Sequence, residues 1–500
     1  MNGIPLFVVV PLGAAFIIPI FSRWIKGFSD IAGNLICAFL MGLSIYFIQN
    51  AGQTQHYFVG DWELIDGIPI GIMMVMDGLT ILMLLVVNCI GFLVSLFAVH
   101  YMSRYTDKEK YYTLFMLMVA GMNGVVISGD LFNLFVFLEI TAIASYALVA
   151  FGVEAEELEA SFKYQVLGGT ASALILLGIA IFYLQVKTLN LADASRVISS
   201  LSDKTGMVFV GVLFLTGFSL KSALMPFHAW LPDAHPSAPA PISAMLSGVV
   251  IKVLGVYTLV RLFFNVFGLQ NMPAIQTVFL VLGTLSMVVG AFLALGQKDM
   301  KRLLAYSSIS QVGYIVFAFG LGTPLGILGG LFHLLNHSVL KSLLFLNSGA
   351  VVYETESRDM DKLGGLIHKM PVTGTTSVIA SLSMSGIPPM GGFFSKLIIV
   401  WAALDSGHPV LGGIAVLASI ITLAYYAKLQ KSVFLGEMTT AFKKVKEAPV
   451  LMCIPMVILA IVSIGLGLLL LPSVKDSLLG PAVQVIQDGL KYADKVLGGP

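Results

Sequence analysis

The chain has 500 residues, of which 57% are hydrophobic and 11% charged, and its mean hydropathy is +0.93. A soluble globule turns roughly 25% charged residues toward water, so a soluble fold is excluded. Apolar runs of about 20 residues, enough to cross a bilayer at 1.5 Å per residue, mark an all-α polytopic membrane protein instead. The net charge of +1, from 28 Lys+Arg against 27 Asp+Glu, argues against nucleic acid or an acidic substrate as partner.

The chain opens on Met-Asn-Gly-Ile-Pro, without a positive leader region, so the first apolar run reads as a retained span rather than a cleaved signal. Hydropathy predicts about 14 spans, near 4–22, 30–48, 77–100, 112–128, 131–151, 164–185, 207–230, 240–264, 273–295, 303–320, 325–351, 373–402, 409–430 and 449–471. The stretch 51–72, with Gly60, Asp61 and Trp62, is too polar to span and is predicted as an extracytoplasmic turn or hairpin. Asp130 stands just before the fifth span and reads as its N-cap. Glu139, nine residues on, is too deep to cap anything. It is either half of a buried structural ion pair or a protonatable carboxylate beside a basic partner. Glu154, Glu156, Glu157 and Glu159 form an acidic connection that reads as a solvated face.

Lys221 lies in the seventh span five residues before Pro226, which must break the helix. Freed backbone is tolerated at membrane depth where it lines a wet or protein-filled interior. Burial penalises an ammonium charge and a nearby carboxylate restores it, so Lys221 beside Glu139 would be a switchable proton holder. His228 and His235 follow in a proline-punctuated stretch, either as entrance groups or, for His235, as part of a rigid loop. Lys252 sits midway through the eighth span. His333, His337 and Lys341 are spaced i, i+4, i+8 and share one helical face, which suits a proton relay. The HxxxH spacing could also bind a metal, but no third ligand or Glu base stands beside it, so neither metal nor cofactor is expected. Lys396 follows Pro388, Pro389, Gly391 and Gly392, which must break the twelfth span. Each such mid-span charge costs about 2.5–3.5 kcal/mol on insertion scales, and leucine would pack as well.

The two proline-broken, lysine-bearing spans lie five spans apart. Spans four to eight and nine to thirteen therefore read as two inverted five-helix repeats, each with a proline-broken helix, a pattern that points to a transport site. The corresponding domains are 1–111, 112–264, 265–430 and 431–500. The tail 475–495 has apolar Val483, Ile486 and Leu490 at helical spacing and reads as an interfacial amphipathic helix. Trp62, Trp230 and Trp401 read as interfacial belt residues. Cys37, Cys89 and Cys453 lie inside apolar runs without a CxxC pair, which argues against a disulfide, zinc or iron–sulfur framework.

Connections after odd-numbered spans hold seventeen Lys/Arg, including Arg104, Lys163, Lys301, Arg302, Arg358 and Lys443. Connections after even-numbered spans hold Lys187, Arg196, Lys204 and Arg261, and the tail adds Lys475, Lys491 and Lys495. The positive-inside rule then places the odd connections in the cytoplasm and both termini outside. The longest polar connections, 186–206 and 352–372, leave no room for a folded enzyme domain outside the membrane.

The stretch from Lys221-Ser-Ala-Leu-Met-Pro-Phe-His to Lys252, the run Leu303–Tyr314 and the run His337–Leu346 resemble the antiporter-like subunits of respiratory complex I, Mrp-type sodium/proton antiporters and membrane-bound hydrogenases. The resemblance covers roughly spans three to thirteen. It implies a hydrophilic axis in the membrane plane, with Glu139 paired to Lys221 and protons passed through Lys252, His333, His337 and Lys341 toward Lys396. It also implies homologous membrane subunits as partners, protons and sodium as cargo, and a prokaryotic cell membrane. One complex I subunit type carries Glu where this chain has Lys396, and the largest members carry a long lateral helix for which this chain ends too soon. The D-type Mrp subunit, or the matching subunit of a redox-driven complex, resembles it best. The chain itself holds no site for flavin, quinone chemistry or metal clusters. A stand-alone solute transporter fits the mostly basic row of groups less well.

Overall fold

The computed structural model describes residues 3–62, 64–65, 68–201, 205–269, 272–438, 442 and 444–498. Lys204 and Lys443 of the basic connections lie outside them, as do Glu63, Asp66 and Gly67 of the polar stretch. α1 (Leu6–Phe21) and α2 (Phe28–Tyr46) lead into four short strands, β1 (Gln55–Phe58), β2 (Leu64–Ile65), β3 (Ile68–Pro69) and β4 (Met73–Met76). β1 pairs antiparallel with β4, and β2 with β3, so the polar stretch is a nested hairpin as expected.

α3 (Gly78–Tyr101), α4 (Lys108–Ile127), α5 (Leu131–Val149) and α6 (Ala155–Val186) follow. α7 (Leu191–Ser200) is short, and α8 (Thr205–Lys221) stops at the first proline break. Beyond it come α9 (Leu231–Ser237), α10 (Ala240–Met245) and α11 (Thr258–Asn265), the last two joined by π-helical turns at Leu246–Val250 and Lys252–Tyr257. α12 (Pro273–Leu295), α13 (Met300–Gly320), α14 (Pro324–Thr355), α15 (Pro371–Ser385), α16 (Gly391–Asp405), α17 (Pro409–Leu429) and α18 (Val450–Gly465) complete the apolar helices. α19 (Pro472–Ser477), α20 (Leu479–Gln487) and α21 (Tyr492–Leu497) end the chain.

Among the described residues eleven helical segments are long and apolar enough to cross a membrane. The α10–α11 segment Ala240–Asn265 is wholly buried inside the protein, so it forms the middle of the bundle. Helix starts follow local chemistry. The side chains of Asp77, Asp130, Asn190, Asp299 and Thr323 each accept a backbone N–H in the first turn of the helix they open. The Asp130 cap is the one expected, its Oδ1 accepting from Asn133 N at 2.7 Å. Burial lifts its carboxyl above the ordinary range, against the pull of the Asn133 and Phe132 N–H groups. α12 and α13 pack backbone to backbone because each presents glycine to the other. A Cβ on Gly313 would lie 2.4 Å from Met287 N, and one on Gly283 2.5 Å from Phe317 N.

Both proline breaks are present, at 222–230 and 386–390. At each, a side chain donates to a carbonyl near the end of the interrupted helix. Trp230 Nε1 donates to Leu220 O at 3.0 Å, and Lys396 Nζ donates to Met384 O at 2.8 Å.

Four expectations are corrected. Trp230 is not a belt residue: it is 2% exposed and stacks on Tyr164 at 4.1 Å, because the break turns it inward. The tail does not lie free at an interface, since Asn265 Nδ2 donates to Val485 O at 2.7 Å and Ser195 Oγ to Leu490 O at 3.2 Å. Its apolar face covers protein rather than lipid. Arg261 and Lys301 are not loop residues. Arg261 is buried in α11 against Asp77, and Lys301 is buried in the first turn of α13, donating to Ala238 O at 2.7 Å. His235 lies in helix α9 rather than in a loop, fully buried and stacked on Phe345 at 4.4 Å.

Candidate functional site

Glu139 projects from α5 toward Lys221, the last residue of α8. Their charged ends are 3.7 Å apart, with Glu139 28% and Lys221 2% exposed at the side chain. Ser172 of α6 stands between them: its hydroxyl donates to Glu139 Oε1 and accepts from Lys221 Nζ at 3.0 Å. Tyr146 OH lies 3.5 Å from the same Nζ, and its ring meets Tyr164, which stacks on Trp230. The helix break thus does two things. It ends α8 at Lys221, and it sends Trp230 back onto Tyr164, whose ring meets that of Tyr146 beside Lys221.

Lys252 is fully buried where the helix widens into π turns, a distortion frequent at functional sites. Its ammonium donates to the carbonyl of Ser247, and the Ser247 hydroxyl lies 2.7 Å from that of Ser308 on α13. Lys341 on α14 donates to Ser307 Oγ, to Leu304 O at 3.0 Å and to Tyr426 OH at 3.2 Å. His337 is fully buried one turn back, its ring nitrogens without a hydrogen-bond partner among the described residues. His333 stacks toward His337 at 6.3 Å and meets Ser395 Oγ at 2.9 Å through Nδ1, and Ser395 is the chain neighbour of Lys396. Lys396 Nζ also donates to Ser419 Oγ at 3.3 Å and lies 5.0 Å from the centre of the Tyr314 ring.

Six of the seven residues singled out from the sequence are buried in the bundle, with Glu139 partly exposed beside Lys221, and the side chains of α14 lead from Lys341 past His337 and His333 to Ser395 and Lys396. Sequence reasoning missed the polar side chains between them. Ser172, Ser307, Ser308, Ser395, Ser419 and Tyr426 give no signal alone, because single hydroxyls are common in apolar helices. Among the described residues no carboxylate forms an ion pair with Lys252, Lys341 or Lys396. Glu139 is the one carboxylate among the seven, and it lies against Lys221. On the lysine-rich face a charged cavity of about 310 Å³ is lined by Glu159, Lys163, Asp233, Arg302 and Arg358. Here Asp233 pairs with Lys163 at 3.0 Å and Arg302 at 3.2 Å.

Residues 128–422 match the family model described as NADH:quinone oxidoreductase/Mrp antiporter, transmembrane region. Residues 62–116 match that of the NADH-ubiquinone oxidoreductase (complex I) chain 5 N-terminus. The D subunit of the Na(+)/H(+) antiporter of Alkalihalophilus pseudofirmus is 32% identical over 469 residues, 93% of each chain. Among solved structures, a chain of the Mrp complex from Dietzia sp. superposes with a TM-score of 0.91 at 27% identity over the whole of both chains. A chain of the membrane-bound sulfane sulfur reductase, an archaeal respiratory membrane complex, superposes with a TM-score of 0.89 at 30% identity over 99% of each.

Proposed function

This chain belongs to the NADH:quinone oxidoreductase/Mrp antiporter family, and from that premise we propose that it is the proton- or cation-translocating subunit of a multisubunit membrane complex, of the Mrp sodium/proton antiporter type. The observation that carries this reading is the set of buried titratable groups itself. Four lysines and two histidines stand in the protein interior, one carboxylate lies against the first lysine with the Ser172 hydroxyl between them, and the Ser395 hydroxyl meets His333 beside Lys396. Buried ammonium groups without counter-ions are costly to keep. A row of them can hand a proton along, because each favours its neighbour's loss of charge.

Glu139 and Lys221 form the input switch, Lys252, Lys341, His337 and His333 relay, and Lys396 terminates the row. The chain needs no cofactor or metal for this and carries out no bond chemistry. Counting α1 and the two broken helices with the eleven long segments supports the 14-span reading, with domains 1–111, 112–264, 265–430 and 431–500. The inverted repeat has independent support. Leu131 N donates to Leu189 O and Leu191 N to Gly129 O, while Met300 N donates to Arg358 O and Met360 N to Lys298 O. These are two copies of one backbone bridge, offset by the same chain length at each of the four positions. In that register Ser308 takes the place of Glu139, so the switching carboxylate belongs to the first repeat alone. We place the chain in a prokaryotic cell membrane with both termini outside, beside homologous membrane subunits.

Transport by vesicles of the whole complex, with sodium and pH varied independently, tests the reading. Proton movement linked to a sodium gradient is expected, and its absence in a competent complex overturns it. The likeness to the sulfane sulfur reductase chain favours a second reading, the same module driven by a redox arm. Redox subunits among the co-purifying chains would select it. Lys396→Ala is expected to abolish transport in assembled complexes, and Lys396→Glu to retain part of it, since either side chain can gain and lose a proton. Full transport by Lys396→Ala would remove that residue from the pathway.

A further inference from the structure

We propose that a polar file down α15, from the lysine-rich face to Lys396, is a water-bearing branch that lets Lys396 exchange protons with that face independently of Lys221. The proposal rests on the reading of Lys396 as a pathway residue. Thr373, Ser377, Ser381 and Ser385 occupy successive i, i+4 positions of α15, so they share one face, and all four are buried. At 1.5 Å per residue this face carries the file about 18 Å, from the helix start to the break. At the outer end Glu447 accepts from Val372 N and Thr373 Oγ1, each at 2.7 Å. One turn in, Gln430 Nε2 donates to Ser377 Oγ at 2.9 Å and to Ser381 Oγ at 2.7 Å. Beside it Thr376 Oγ1 donates to Asn347 Oδ1 at 3.0 Å. At the inner end Ser419 Oγ donates to Ser385 O at 3.1 Å, and Lys396 Nζ donates to Ser419 Oγ at 3.3 Å.

A hydroxyl stripe alone is ordinary packing glue between membrane helices. Two atoms distinguish this one. Gln430 Oε1 and Asn347 Nδ2 belong to residues 6% and 2% exposed, and neither has a hydrogen-bond partner among the described residues. Left without a partner, each is a buried polar group that has lost water and gained no bond in exchange. One is an acceptor and the other a donor, on helices that flank α15, which is the combination buried water satisfies. Hydroxyls both donate and accept, so waters held at these two atoms would join Glu447 to Ser385 in a continuous proton-conducting file. The file carries no fixed charge of its own between its ends, so it suits a proton rather than a retained cation.

The test uses vesicles of the whole complex in which Cys37, Cys89 and Cys453 are replaced by alanine and a single Ser381→Cys is introduced. Silver ion, small and thiol-reactive, is added to one face, and the thiol it protects is then counted by alkylation after denaturation. Protection at least tenfold faster from the lysine-rich face is expected, slowed in a Gln430→Leu background. Protection equally slow from both faces, or faster from the opposite face, overturns the branch. Leu382→Cys, directed away from the file, is the reference for background reaction. Ser377→Cys, one turn nearer the face, serves the same purpose if Ser381→Cys fails to assemble. The readout does not depend on transport, so the branch and the transport reading can fail separately.

Discussion

Glu139→Gln is expected to lower cation-coupled transport at least roughly tenfold while the complex still assembles. The substitution keeps the size of the side chain and an oxygen that can accept from the Ser172 hydroxyl, so local packing is preserved. What it removes is the charge 3.7 Å from Lys221 Nζ. A buried charge stripped of its partner costs about 3–5 kcal/mol, and 1.36 kcal/mol already corresponds to one pKa unit, a tenfold change in proton occupancy. Lys221 is therefore held in one state instead of switching between two. Lys221→Ala should give the same loss from the other side of the pair. Full transport in assembled Glu139→Gln vesicles would reduce the pair to a structural contact. Ser172→Ala distinguishes further: if the hydroxyl conducts between the two groups, transport falls although both charges remain.

The largest loss of stability is expected at a second buried pair, Asp77 with Arg261. Arg261 Nη1 donates to Asp77 Oδ2 at 2.8 Å and Nη2 to Asp77 Oδ1 at 2.9 Å, and both residues are 2% exposed or less. Asp77 also caps α3, accepting from Thr80 N at 2.9 Å. Asp77→Asn retains the cap and removes the charge, so the cost of an uncompensated buried guanidinium is isolated, about 3–5 kcal/mol. The guanidinium also faces the Tyr492 ring at 5.2 Å, and Asn265 on the same helix holds the carbonyl of Val485. Loosening Arg261 should therefore release the C-terminal segment 472–498 before the bundle melts. The checks are a lowered midpoint of thermal unfolding in detergent and earlier proteolysis of that segment. Joint replacement by Asp77→Leu and Arg261→Met should recover part of the loss, because no charge is then left stranded. An unchanged midpoint in Asp77→Asn would show that the pair is not what anchors the tail.

Lys252, Lys341 and Lys396 are legible in the amino-acid order because each sits mid-run in an apolar segment, where a charge has no packing reason to be. Arg261 is equally buried yet carries no such mark, since it stands near a predicted span end and reads there as part of a connection. The tail misleads for a related reason. Its amphipathic spacing says that one face must be covered, and both a lipid interface and the groove beside α7 and α11 satisfy that requirement.

The order of residues determined the membrane class, the broken helices, the polar hairpin and which titratable groups are out of place. These depend on hydropathy, on proline's missing N–H and on the cost of an isolated charge, all properties of a short stretch of chain. The tertiary structure decided who meets whom: Ser172 between Glu139 and Lys221, Trp230 folded back on Tyr164, Gln430 reaching across to α15, and Asp77 on Arg261. Those partners are brought together by helix packing across long separations in the chain. A lone serine, glutamine or tryptophan looks the same in sequence whether it faces lipid, a neighbour or a proton path.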